Sequence, residues 1–201
     1  TSNVISLAGR NIMQVEIGAG ENKSIKPIDG ENLATAAKIA HEQGIPLVCF
    51  VESSGADILE GVAAVHGWGV AAREFVRCSG KVPIIFCVTG ATVSGPALLL
   101  GLADFVIMVD DSYAFVSGPL MAEMFTGETT SNEELGGASL HDRTTGVSHF
   151  AVSNLDEGKE LIEELLSFLP NNTYEIPKGW DSGAPADRST PESGTILPDS
   201  I

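Results

Sequence analysis

The sequence predicts an α/β fold built on a mainly parallel sheet, and three observations carry that reading. Continuous apolar runs at Leu47–Val51, Pro83–Val88 and within Asp104–Val109 are too short for core helices and do not alternate, as expected of strands buried on both faces. Segments with helical spacing separate them. The resulting order of strand, helix, strand, helix, strand favours parallel pairing through right-handed crossovers. Finally, 201 residues with 43% apolar content suit one domain with a substantial core.

Taken in order, Val4–Leu7 and Ile12–Glu16, split by Gly9 and Arg10, read as a short β-hairpin followed by a loop to Asp29. Leu33, Ala36, Ala37 and Ala40 then share one helical face, Gly44 stops that helix, and Pro46 opens the first buried strand. Helix-compatible spacing returns from Ile58 to about Val76, and the second strand, Pro83–Val88, follows. Ser94–Leu102 reads as a short apolar helix leading into the third strand. Beyond Tyr113 the pattern is helical and loop-like, with Ser131 and Glu134 in capping-box spacing. Asn154 and Glu157 cap a last helix whose stripe is Leu161, Ile162, Leu165, Leu166 and Leu169, ended by Pro170. From Asn171 to Ile201 the chain is rich in Pro, Gly, Ser and Asp, and reads as an extended tail or linker.

Eleven basic against 27 acidic side chains give a net charge of −16, which repels polyphosphate backbones and excludes nucleic acid as the main partner. No uninterrupted apolar run reaches membrane-spanning length and no signal peptide is readable, so the expected location is the cytoplasm. Cys49 and Cys87 lie inside apolar runs; with Cys78 they read as buried thiols, metal ligation being the alternative, and no metal is expected.

Two segments offer chemistry because small residues follow buried strands, where open α/β sheets present ligands to backbone amides. The first is Glu52-Ser53-Ser54-Gly55-Ala56-Asp57 and the second is Gly90-Ala91-Thr92-Val93-Ser94-Gly95-Pro96. Each leads into a helix, whose first N–H groups are unpaired donors with partial positive charge. If the two converge, one N–H from each could grip a thioester oxygen; the competing reading is two ordinary strand-to-helix turns.

Ser54-Gly55-Ala56-Asp57-Ile58 resembles the Ala-Gly-Ala-Asp-Ile stretch of crotonase-type enoyl-CoA enzymes. It is also similar to the Gly-Gly-Ala-Arg-Ile-Gln-Glu-Gly segment of biotin-dependent carboxyltransferase β subunits, continued here as Leu59-Glu60-Gly61. Thr126-Gly127-Glu128, Ser131 to Ala138 (with Leu135-Gly136-Gly137), His141 and Gly146-Val147 look like the carboxyltransferase string in order and spacing, a string that hydratases lack. The ending Leu165 to Asn172 resembles that family's helix and Leu-Pro-x-Asn finish.

The resemblance implies a crotonase-like (ClpP/crotonase) ββα superhelix fold, with residues 1–170 as the amino-terminal carboxyltransferase domain and 171–201 linking to a carboxy-terminal half. It implies an oxyanion hole made by the N–H groups of Ala56 and Gly95, with Ser54, Gly55, Asp57, Ser94 and Gly118 around the substrate. Acyl-CoA would be the substrate, and biotin on a separate carboxyl carrier protein the cofactor. A carboxyl group would pass between them through an enolate. The carboxy-terminal half or a partner subunit, and a homo- or hetero-oligomer, are further implied partners. Malonate decarboxylase, whose two halves are separate chains, offers the precedent for a natural split.

This chain departs from the pattern in three places. Asp57 stands where the family has arginine, Ser54 and Ser94 replace glycines, and Ile17–Asp29 lacks the family's glycine-rich segment. The alternatives are a biotin-independent thioester decarboxylase or hydrolase, a Clp-type serine peptidase with Ser94 as nucleophile, and a non-catalytic subunit. A hydratase would need carboxylates where Leu98 and Gly118 stand, and a peptidase a histidine near Ser117-Gly118-Pro119. His41, His66, His141 and His149 read as structural, and Glu60 as a first-turn helix carboxylate.

Overall fold

The computed structural model describes residues 1–18, 20, 22–177, 179 and 183. Strands β1 (Ser2–Leu7) and β2 (Arg10–Ile17) form the expected antiparallel hairpin, turning at Ala8 and Gly9, both at positive φ. A two-residue strand, β3 (Ser24–Ile25), precedes helix α1 (Pro27–Gln43). The helix begins inside the segment read as loop: Pro27 takes a position needing no N–H, and the Asp29 carboxylate accepts the Lys26 N–H at 3.0 Å. Gly44, left-handed at φ 63°, ends it as expected.

Next come β4 (Leu47–Ser53), the short β5 (Gly55–Ala56), and α2 (Val62–Cys78). The sequence places the start of α2 at Ile58, but residues 57–61 form a turn. The Asp57 carboxylate accepts the Leu59 N–H at 2.9 Å and Gly61 sits at φ 55°, which holds this stretch out of the helix and leaves Glu60 exposed in a turn. Strand β6 (Ile84–Val93) also outruns its sequence signal, continuing through Gly90-Ala91-Thr92-Val93 so that the turn is reduced to Ser94. Helix α3 (Gly95–Leu99) and a 3-10 turn at Leu100–Leu102 lead to β7 (Phe105–Val109). Beyond it lie β8 (Tyr113–Phe115), α4 (Pro119–Thr126), α5 (Asn132–Gly136), α6 (Ala138–Leu140), a π-helical turn at His141–Thr145, β9 (Phe150–Val152) and α7 (Leu155–Phe168).

Among the described residues the sheet has seven strands along β1-β2-β4-β6-β7-β9, with β8 pairing β6, and every pairing in it except the hairpin is parallel. Alternation within the apolar runs feeds two cores. Leu47, Cys49, Val51, Ile84, Phe86 and Val88 face α1 and α2, whereas Val48, Ile85, Cys87 and Ile107 face Ile162 and Leu166 of α7. All three cysteines are free and buried, and burial pushes Cys78 up to about 11 and Cys87 up to about 12.

Both capping expectations hold. Ser131 Oγ accepts the Glu134 N–H while the Glu134 carboxylate accepts the Ser131 N–H, and Asn154 Oδ1 accepts from the N–H groups of Asp156 and Glu157. His149 gains a structural partner, its Nδ1 accepting the Val106 N–H at 3.1 Å. Of the expected extended segment 171–201, Asn172 Nδ2 donates to the Gly44 carbonyl and Thr173 N–H to the Lys81 carbonyl. The remainder from residue 178, apart from 179 and 183, lies outside the described residues. Among the described residues no helix is long and apolar enough to cross a membrane.

Candidate active site

The two turns converge. Ala56, Ser94 and Gly95 line one cavity of about 190 Å³ together with Val65, Trp68, Leu98 and Val116. The first turn is built by β5 pairing with β3. Asp57 N–H donates to the Ile25 carbonyl at 2.9 Å, and alternate residues of a parallel strand direct their N–H groups to opposite sides, so the Ala56 N–H faces away from β3. Gly55, at φ 95°, lets this strand lie against the other turn: a Cβ there would sit 3.2 Å from Ser94 Cβ.

The second turn follows directly from β6. Ser94 holds φ 63° and ψ −129°, a region that costs a residue with a side chain on the order of 1–3 kcal/mol. Its N–H donates to the Phe115 carbonyl at 3.0 Å. Gly95 is then the first residue of α3, so its N–H is among the donors without an intrahelical acceptor, and it rests against the Trp68 indole.

The other expected substrate residues lie further out. Ser54 is not part of the cavity wall: its hydroxyl donates to the Asn22 carbonyl at 3.0 Å and its N–H to the Lys23 carbonyl at 2.9 Å. The Asp57 carboxylate is turned inward: it accepts the Leu59 N–H and the Ser24 hydroxyl at 2.9 Å each, and these hold its pKa below the usual carboxylate range. It is 8% exposed and is not part of the cavity wall. Gly118 caps α4, two residues beyond the lining Val116. Sequence reasoning missed Trp68 as a wall of the site; its place on α2, one turn after the exposed Val65, was the available signal.

Chemically the cavity is a donor site without side-chain acids or bases. Among the described residues its lining holds no carboxylate, histidine, lysine or cysteine, and its rim is apolar, with Val65, Leu98 and Val116 more than half exposed. A larger cavity, about 660 Å³, lies between the hairpin and the start of α1. It contains neither turn, and Glu16 and Asp29 in its wall suit it poorly to an anionic substrate.

The family described as "Carboxyl transferase domain" matches residues 18–201. The propionyl-CoA carboxylase carboxyltransferase subunit of Haloferax mediterranei is 35% identical over 177 residues, covering 88% of this chain and 34% of that protein. The methylmalonyl-CoA decarboxylase subunit alpha of Veillonella parvula is 34% identical over 180 residues, covering 89% and 35%. Among solved structures, transcarboxylase 12S with methylmalonyl-coenzyme A and methylmalonic acid bound superposes with a TM-score of 0.84 at 29% identity, covering 88% of this chain and 35% of that one. The fold is therefore crotonase-like, and the chain spans about a third of the length of the relatives it matches. With a family match over nearly all its residues and a cavity assembled from the two turns, this chain belongs to the carboxyl transferase domain family.

Proposed function

We propose that this chain forms the acyl-CoA-binding half of a biotin-dependent carboxyltransferase. The carrying observation is that Ala56 and Gly95, on separate strand-to-helix turns, line one cavity whose wall, among the described residues, contains no side-chain acid or base. In this reading the thioester carbonyl enters between the turns and the two N–H groups hold its oxygen as an enolate forms. Each such donor is typically worth about 3–4 kcal/mol, because it is aimed where charge develops and need not reorganise. The side chains of Val65, Leu98 and Val116 give the reacting carbon apolar neighbours.

A wall without its own base fits a co-substrate that brings one: carboxybiotin, carried by a separate protein, supplies both the carboxyl group and a nitrogen able to take the proton of the acyl α-carbon. Relatives named as a carboxylase and as a decarboxylase are 35% and 34% identical, so both directions fall within the proposal. A carboxy-terminal half or partner subunit would complete the site, and an oligomer is the corresponding assembly. The 12S relative forms a hexamer assembly. The peptidase reading loses support, because no histidine joins Ser94 in the cavity wall.

The test is an assay of the full native gene product with its biotin carrier against acetyl-, propionyl-, malonyl- and methylmalonyl-CoA, following carboxyl exchange. Exchange with at least one thioester is expected, and Gly95→Pro, which deletes one donor, should cut it by about a hundredfold or more. Thioester breakdown without biotin, and no exchange, would replace this function with a biotin-independent decarboxylase or hydrolase.

A further inference from the structure

We propose that His141 is a positioning residue for the second oxyanion donor, acting on Gly95 through β8; this rests on the reading that the Gly95 N–H holds the thioester oxygen. His141 is 8% exposed and opens the π-helical turn, an insertion in the helical path that commonly marks functional sites. Its Nε2 lies 2.8 Å from the Ala114 carbonyl, which can only accept, so that nitrogen donates. Its Nδ1 lies 2.7 Å from the Thr145 hydroxyl oxygen, which accepts the Val147 N–H at 3.3 Å. Both ring nitrogens are therefore used inside the protein, and the imidazole acts as a strut against β8.

The rest of the same motif grips the same strand. A Cβ on Gly136 would lie 2.3 Å from the Ala114 carbonyl oxygen, so only glycine allows α5 this close to the backbone of β8. Gly137 bridges to Tyr113, and the Ala138 N–H donates to the Ser112 carbonyl at 3.2 Å. Leu135-Gly136-Gly137-Ala138 and His141 thus hold the chain from Ser112 to Ala114.

This restraint reaches the site in two steps. Strand β8 has three residues and pairs only with β6 in the sheet, so a strand so short depends on contacts outside it for its position. The Phe115 carbonyl, next to Ala114, accepts the Ser94 N–H. Ser94 occupies a strained conformation that persists only where its surroundings over-determine it. Whatever fixes Phe115 therefore fixes Ser94, and with it the direction of the following N–H, that of Gly95.

The test uses the full-length protein with two readouts, steady-state carboxyl exchange and hydrogen exchange of the Ser94 amide. His141→Ala should lower kcat by about tenfold or more with KM nearly unchanged, the signature of a lost transition-state interaction, and should speed exchange at Ser94. His141→Gln, whose amide can still donate to Ala114, should recover most of both. Leu166→Ala, on the opposite face of the sheet, controls for general destabilisation and should leave both readouts unchanged. The proposal is overturned if His141→Ala keeps its kcat, or if Leu166→Ala loses kcat and Ser94 protection to the same extent. Should His141→Ala not fold, His141→Gln and Thr145→Val decide: protection at Ser94 equal to wild type in Thr145→Val refutes the strut, and weakened protection supports it. If the wild type turns over no thioester, the reading of the cavity fails, while hydrogen exchange still reports on His141.

Discussion

The Trp68 indole fills the space that a side chain on Gly95 would need: a Cβ there would lie 2.6 Å from Cε2 and from Nε1. A rigid ring inside a packed site cannot retreat cheaply. Gly95→Ala should therefore cost about 1–3 kcal/mol of stability and displace the second turn, lowering carboxyl exchange more than stability alone explains. Thermal melting and the exchange assay, read together, check this, and a fully active and equally stable variant would contradict the contact.

Ser94 provides the opposite case. Glycine adopts its φ of 63° without steric cost, so Ser94→Gly should raise stability by about 1 kcal/mol, or about 2–4 °C in Tm. Ser94→Ala keeps the Cβ and should show no such gain. Parallel melts of the two variants separate strain at the backbone from any effect of the hydroxyl.

Asp57 should give stability a pH dependence of known sign. The Leu59 N–H and the Ser24 hydroxyl lower its folded-state pKa, so it contributes stability that is complete above the unfolded value of about 3.9 and is lost as pH falls through the folded value. Asp57→Asn should melt below wild type at pH 7, and the gap should close as the solution is acidified below about pH 4. A gap that does not change with pH would mean that the charge is not involved.

Helices α1 and α2 cross where Gly30 meets Gly67. A Cβ on Gly30 would lie 2.3 Å from the backbone C and O of Gly67, and backbone cannot rotate away. Gly30→Ala should cost about 3 kcal/mol or more, at the upper end for overpacking. Urea unfolding measures it, and a loss below about 1 kcal/mol would show that the helices can separate without penalty.

Much of this molecule is legible along the chain. The apolar runs at Leu47–Val51 and Pro83–Val88 are buried strands, Gly44 ends a helix, and Ser131 and Asn154 cap two others. These features depend on periodicity or on hydrogen bonds between residues a few positions apart, both local properties. Strands β3, β5, β8 and β9 have two or three residues each, too few to show a period. The start of α2 was misplaced because an Asp57 side chain held by Ser24, 33 residues away, keeps residues 57–61 out of the helix.

For the site, the two small-residue turns, their place after buried strands and, through the motif string, their family can be read along the chain. That Ala56 and Gly95 share one cavity, that Asp57 faces away from it, and that Trp68 forms one of its walls emerges once the chain is folded. The physical reason is that hydrophobic patterning reports which face of an element is buried without naming the partner across the interface. That partner is chosen by sheet order and by backbone approach at glycines such as Gly55 and Gly136, where the absence of a side chain matters only once the neighbour is in place.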